Sequence, residues 1–307
     1  MPKTAIILDS ACSLPNEVCA RYGISFVPLS YTVNRVEYTD PCDQSQALLA
    51  FATGQFDRKN TVYTSAPSSE AFEKAIQRKL NAGYDTIIVQ TVNRTQGETY
   101  LNANTAVTRI QKQLGDRKAV IRVMDSRTVF AGQGLLAVET VRRLLKGENE
   151  DDVRRKMNKL SSLIHTFIVP RSPLTALERS RERNEKNVGW TQALVASTLG
   201  IHPVICNTND SSAAVGRVWG FEKAVSAVFA HACDRIEAGL YSPIITLTYA
   251  GAVEELRTLP GYASLSQMAK QKKVKLIPAV ASMAAGIYTS VGSLSLAVAT
   301  APHNWSR

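Results

Sequence analysis

Four short polar segments carry the residues that could do chemistry in this chain. Asp9-Ser10 closes the apolar run Ala5-Ile6-Ile7-Leu8, and Asp125-Ser126 closes a second run, Ala119 to Met124. Between them lie Thr64-Ser65-Ala66-Pro67-Ser68 and Thr91-Val92-Asn93-Arg94-Thr95, each set between an apolar run and a helix. Runs of β-branched and aliphatic residues ended by small polar ones read as buried strands of a parallel sheet. In open α/β sheets, polar residues just past the strands' carboxyl ends line the ligand crevice. Hydroxyls there donate to a carboxylate or phosphate, and the free N–H groups of a following helix add positive partial charge. One such segment alone is more often a helix cap. Several at one sheet edge describe a hydroxyl-lined site for a small polar or anionic group.

Catalytic residues do not accompany these hydroxyls. Asp9 lacks the second aspartate two residues on that phosphotransferases of the Asp-x-Asp type need, and no G-x-x-x-x-G-K-[ST] loop is present. Gly132-Gln133-Gly134 lacks the third glycine of a dinucleotide fingerprint, and no G-x-S-x-G elbow offers a serine nucleophile. Cys12, Cys19, Cys42, Cys206 and Cys233 are an odd set without a C-x-x-C pair, and the four histidines are scattered along the chain. Neither pattern matches a disulfide framework or a metal site, so no metal and no cofactor are expected. Cys12 and Cys19 read as core-facing thiols. Hydroxyls without an activated base point to binding. The alternative kept open is an enzyme acting on an acyl phosphate or another small phosphorylated metabolite at the same sheet edge.

The elements that must position these groups follow from pattern and length. At 307 residues the chain can form two domains. Its 45% hydrophobic and 20% charged residues are those of a soluble globular protein. No window approaches the roughly 20 apolar residues of a membrane span. Met1-Pro2-Lys3-Thr4 leads straight into a strand without an apolar signal core, and a cytoplasmic protein is expected. The formal charge of +10 raises the question of nucleic acid. The basic residues are nevertheless diluted along amphipathic helices, and only Lys270-Gln271-Lys272-Lys273 is a purely basic knot. No nucleic-acid partner is expected.

Strand and helix alternate regularly as far as Leu145: strands at Ala5–Leu8, 62–65, 86–89 and 119–124, with helices after each. That order implies a parallel sheet covered on both faces. Beyond a charged helix, 151–163, the strands are spaced more widely, at 166–169, 204–207, 216–219, 244–249, 275–281 and 293–298. Helices are expected near 174–185, 191–199, 221–238 and 252–258. The fold class is therefore α/β, a parallel-sheet N-terminal domain over 1–162 followed by an α+β domain with a mixed sheet over 163–307.

Asp9-Ser10-Ala11-Cys12-Ser13-Leu14-Pro15 resembles the Asp-Ser-Thr-x-Asp-Leu-Pro opening of the DegV family of bacterial fatty-acid-binding proteins. Val27-Pro28-Leu29, Tyr38 with Asp40, and Thr64-Ser65-Ala66-Pro67-Ser68 are similar to further family features. So are Gly83-Tyr84-Asp85, Asp125-Ser126 with Gly132 and Gly134, and Ile201-His202-Pro203-Val204. Gly286 to Leu296 aligns with the family's closing Gly-x-His-x-Gly-Pro-Gly strand. The resemblance covers nearly the whole chain in order. It implies a two-domain, non-enzymatic binder with a long-chain fatty acid in an interior tunnel, and a possible fatty-acid kinase subunit as partner. On the matching positions Thr64, Ser65, Asn93, Arg94 and Thr95 would hold the carboxylate, with Tyr288 and Thr289 at the mouth. The departures are Asn93-Arg94 for paired serines, Tyr288 for the closing histidine, Trp219 for an arginine and His202 for a lysine. They bear more on the kinase partnership than on lipid binding.

Overall fold

Ala5-Ile6-Ile7-Leu8 has no polar residue on either face, so such a strand is stable only where both faces are covered. A computed structural model describes residues 4–115, 118–182 and 200–307. In it β1 (Thr4–Asp9) lies between β2 (Ser25–Val27) and β6 (Thr86–Thr91), with β7 (Val120–Asp125) outermost, and all four strands are parallel. Helices α3 (Ser69–Asn81) and α4 (Thr99–Gln113) cover one face, where Phe72, Ile76, Ala103 and Val107 meet Ile7, Ile87 and Val89. Helix α1 (Asn16–Tyr22) follows β1 directly and ends at Gly23, whose φ of 62° suits glycine at a helix C-terminus.

The opposite face packs on α5 (Ala131–Leu145), whose first eleven residues, Ala131 to Val141, are all buried. A helix buried around its whole circumference must be enclosed by other elements, and α5 lies between two sheets. Its other side meets a six-stranded sheet of β8 (Ile164–Val169), β9 (Ile201–Thr208), β10 (Ser211–Trp219), β11 (Ile244–Tyr249), β12 (Lys275–Val280) and β13 (Leu294–Ala299). The order is β10-β9-β8-β13-β11-β12, antiparallel except for the β11/β12 pair. The mixed sheet expected of the second half is present. Leu135 and Leu136 share one core with Ile6 and Leu8 on one side and Ile244, Ile277 and Ala297 on the other. Glu139, fully buried on α5, accepts from Arg142, Arg143 and the Ser242 hydroxyl, so its charge is not stranded. Helix α6 (Glu150–Ser161), capped by Asn149, follows. The far face of the six-stranded sheet is covered by α8 (Phe221–Ala238) and α10 (Tyr262–Gln271), preceded by the short α9 (Val253–Thr258).

Several expectations need correction. The 62–65 run is a strand, β5 (Val62–Ser65), but it belongs to a separate antiparallel sheet with β3 (Ser30–Val33) and β4 (Val36–Thr39). Strand β4 was not expected. It turns back at Asn34-Arg35, where both φ values are positive (48° and 74°), the backbone that a two-residue hairpin needs. The stretch aligned with a closing strand begins instead as helix α11 (Met283–Thr289), and the strand starts only at Leu294. Helix α10 was also not foreseen. Helix α7 (Pro173–Glu182) falls where a helix was expected, and helix α2 (Gln44–Ala52) precedes β5. The helix expected at 191–199 lies outside the described residues.

Candidate functional site

The two Asp-Ser strand ends brace loops and do not line the apolar-walled cavity beside them. Asp9 is fully buried and accepts from the backbone N–H groups of Ala11 and Val92 and, at 3.3–3.4 Å, from Gln133 Nε2. It thereby ties the ends of β1 and β6 to α5. Burial raises its carboxyl to about 6, against the pull of those hydrogen bonds. Ser10 Oγ accepts from Leu29 N at 2.9 Å. Asp125 accepts from Arg127 N and Arg94 N, the same role at the end of β7. Cys12 and Cys19 are buried as expected, and burial pushes the Cys19 thiol up to about 12, which makes it inert.

Beside these loops lies a cavity of about 300 Å³. Ser65, Ala66, Gln96, Gly97 and Glu98 form its more exposed rim, while Ala11, Leu29, Val92, Val129, Phe130 and Ala284 give buried apolar wall. The cavity draws on both halves of the chain, since Ser180, Asn207, Ser212, Ala284 and Tyr288 also line it. Tyr288 reaches it from α11, which is docked against the β1 loop. Ser282 caps that helix by accepting from Ala285 N, donates to Ala11 O at 2.9 Å, and its own N–H donates to Ser13 Oγ at 2.8 Å. The phenolic oxygen of Tyr288 accepts from Thr64 N at 3.1 Å and shares a 3.0 Å hydrogen bond with Thr64 Oγ1. Three hydroxyls, those of Thr64, Ser65 and Tyr288, thus come together around one opening.

The structure places the other four candidate residues elsewhere. Asn93 is buried, and its Oδ1 accepts from the N–H and hydroxyl of Thr95, so the pair shapes the turn that carries Gln96 and Gly97. Arg94 points to acidic neighbours, 3.0 Å from Asp210 and 3.5 Å from Asp125. Thr289 is buried, donates to Ala285 O at 2.6 Å and bonds to Ser293 Oγ. None of the four lines the cavity. Residues missed from sequence are Gln96 to Thr99, Val129, Phe130, Ser180, Asn207 and Ser212. For Asn207 a signal existed: it is an amide directly after the apolar strand residues Val204-Ile205-Cys206. The apolar ones carry none, because a wall residue and a core residue look alike. Three of the four scattered histidines also converge: His231 Nε2 lies 2.9 Å from His303 Nε2, and the His165 and His303 ring centres are 4.5 Å apart. Among the described residues no cluster of His, Cys, Asp or Glu is arranged to hold a metal ion.

A parallel sheet and a mixed sheet sharing one buried helix, with a hydroxyl-rimmed and apolar-walled cavity beside it, define an α/β protein built to enclose a ligand. The model of the DegV family, described as uncharacterised proteins, matches residues 3–301, and the chain belongs to that family. A DegV domain-containing protein of Xanthomonas campestris pv. campestris is 27% identical over 315 residues, 99% of either chain. Among solved structures, a stearic-acid-binding protein from Eubacterium ventriosum superposes with a TM-score of 0.81 at 22% identity, over 98% of both chains. A DegV-family protein from Ruminococcus gnavus, solved with vaccenic acid, gives 0.76 at 20% identity over 96% of this chain and 99% of the other. At these identities the structural likeness establishes the fold.

Proposed function

We propose that this chain binds a long-chain fatty acid and is a carrier and not an enzyme. The observation that carries the reading is the convergence of Thr64, Ser65 and Tyr288 on the mouth of a mainly apolar cavity. The carboxylate is received by those hydroxyls. The acyl chain runs inward past Leu29, Val92, Val129 and Phe130 and gains on the order of 0.8 kcal/mol per buried methylene. A buried carboxylate without donors would forfeit that gain, which is why the hydroxyls sit at the rim. Asn93, Arg94, Thr95 and Thr289 serve one step back, holding the Gln96–Thr99 turn and α11 in place. The lobes are taken as 1–162 and 163–307, with the acyl chain between them. The solved relatives described as binding stearic and vaccenic acid support this reading.

The protein is placed in the cytoplasm; among the described residues no helix is long and apolar enough to cross a membrane. A fatty-acid kinase subunit is the partner the reading admits, although Tyr288 and Trp219 replace the family's histidine and arginine. Native mass spectrometry of the purified protein, followed by lipid extraction, tests the reading. One fatty acid per chain is expected, whereas a co-purifying phosphorylated metabolite would favour the enzymatic alternative.

A further inference from the structure

The buried wall of the cavity carries a polar group that a plain hydrocarbon chain leaves unmet. Asn207 lies on β9, is only 1% exposed and lines the cavity. Directly opposite it in the antiparallel ladder are Ser212 on β10 and Thr166 on β8, so the three side chains share a face. Thr166 is engaged with Thr128, Oγ1 to Oγ1, at 2.7 Å. Asn207 Nδ2 donates to Ser212 Oγ at 2.6 Å, and Asn207 Oδ1 is buried without a partner.

Rotating the amide by half a turn does not remove the deficit. Ser212 would then donate to Oδ1, and Nδ2 would be the atom left over. In either orientation one polar atom of a buried amide is unsatisfied, and native interiors rarely tolerate this without a ligand or water to complete it. Ser212, on the same lining, already accepts from Asn207, so methylenes packed there would seal off the orphaned amide atom. A hydroxyl, being both donor and acceptor, meets the amide in either orientation, whereas a keto oxygen meets only one.

We propose that the preferred ligand is a long-chain acid bearing a hydroxyl on its acyl chain, hydrogen-bonded by Asn207, with Ser212 as the residue that positions the amide. The inference rests on the fatty-acid reading above and adds the chemical class of the chain. Asn207 is accordingly a specificity-determining residue, remote in sequence from the carboxylate end at Thr64.

Delipidated protein titrated with stearic acid and with a set of monohydroxystearic acids differing in hydroxyl position provides the test. At least one hydroxylated isomer is expected to bind about tenfold more tightly than stearic acid. In Asn207→Leu that preference disappears while stearic acid binds at least as well as before. Equal affinity for stearic acid and every hydroxylated isomer in the unaltered protein would overturn the inference and leave the fatty-acid reading standing. No binding of any of these acids would overturn the fatty-acid reading itself. Should Asn207→Leu fail to fold, the β-branched Asn207→Val suits the strand and is read the same way.

Discussion

The Tyr288 hydroxyl does two things with one atom under the proposed reading: it fixes the Thr64 backbone through the N–H it accepts, and from the cavity lining it would donate to an acid. Tyr288→Phe keeps the ring and its burial but removes both. Hydrogen bonds to charged groups contribute about 1.5–3 kcal/mol, so affinity for stearic acid is expected to fall at least tenfold, with a small change in the unfolding midpoint. Unchanged affinity in a displacement titration would remove Tyr288 from the site. Asp9 is the complementary case, a buried acid with a structural task. Its folded-state carboxyl, raised to about 6 from 3.8, gives stability that is complete below 3.8 and lost as pH rises through about 6. His165 and His231, lowered by burial to about 4, act in the opposite sense, because the unfolded chain binds their protons first as pH falls. The comparison of wild type with Asp9→Asn cancels those histidines. The neutral amide can donate to Gln133 Oε1, which has no partner at present, but its single oxygen can no longer accept from both Ala11 N and Val92 N, which Asp9 receives on separate oxygens. Asp9→Asn is therefore expected to fold at pH 7 with stability lowered by about 1–3 kcal/mol, and wild type should gain on it further as pH drops from 6 to 4. Denaturant titrations across that range decide it; a variant unfolded at pH 7 would show that the carboxylate is indispensable to the loops.

At the scale of elements, α11 determines whether Tyr288 reaches Thr64. A Cβ on Gly286 would lie 2.4 Å from Phe51 Cε1, so the helix sits on the ring of α2 at a distance only glycine permits. Gly286→Ala should push α11 off that ring, destabilise the fold by about 1–3 kcal/mol and weaken acid binding by displacing Tyr288. Normal stability and affinity together would show that Phe51 yields without cost. This helix also shows where sequence reading stops. Met283-Ala284-Ala285-Gly286-Ile287-Tyr288-Thr289 is buried at all seven positions, so it has no polar face and no period of 3.6 to detect. Three strands of the four-stranded sheet, β1, β6 and β7, were legible because largely aliphatic runs ended in Asp-Ser or Thr. Strand β5 was legible as a strand but not in its pairing, since Val62-Tyr63-Thr64-Ser65 carries no mark of which neighbour it will find. Thr64 and Ser65, which line the cavity, were legible as candidates from their place after an apolar run. The same pattern marked Asn93 and Arg94, which the fold uses for a turn and for ion pairs with Asp125 and Asp210.

For the whole molecule, the decisive arrangement is one helix serving two sheets. Leu135, Leu136, Ala137 and Val141 of α5 belong to a core that includes Ile6 and Leu8 from one sheet and Ile244, Ile277 and Ala297 from the other. Neither sheet can lose the helix without exposing its own apolar face, so the halves should unfold together although the chain is long enough for two domains. The cavity adds to this coupling, because Thr64 on one side and Tyr288, Asn207 and Ser212 on the other all line it. A ligand that binds only the folded form stabilises it by about 2.7 kcal/mol at a hundredfold excess over its dissociation constant. Delipidated protein is thus expected to melt in a single transition, with calorimetric and van't Hoff enthalpies in agreement. Added fatty acid should move that one transition upward as a unit. Two resolved transitions, or a shift confined to part of the melting profile, would mean that α5 stays with one sheet while the other unfolds, and that the acid is held by one lobe alone.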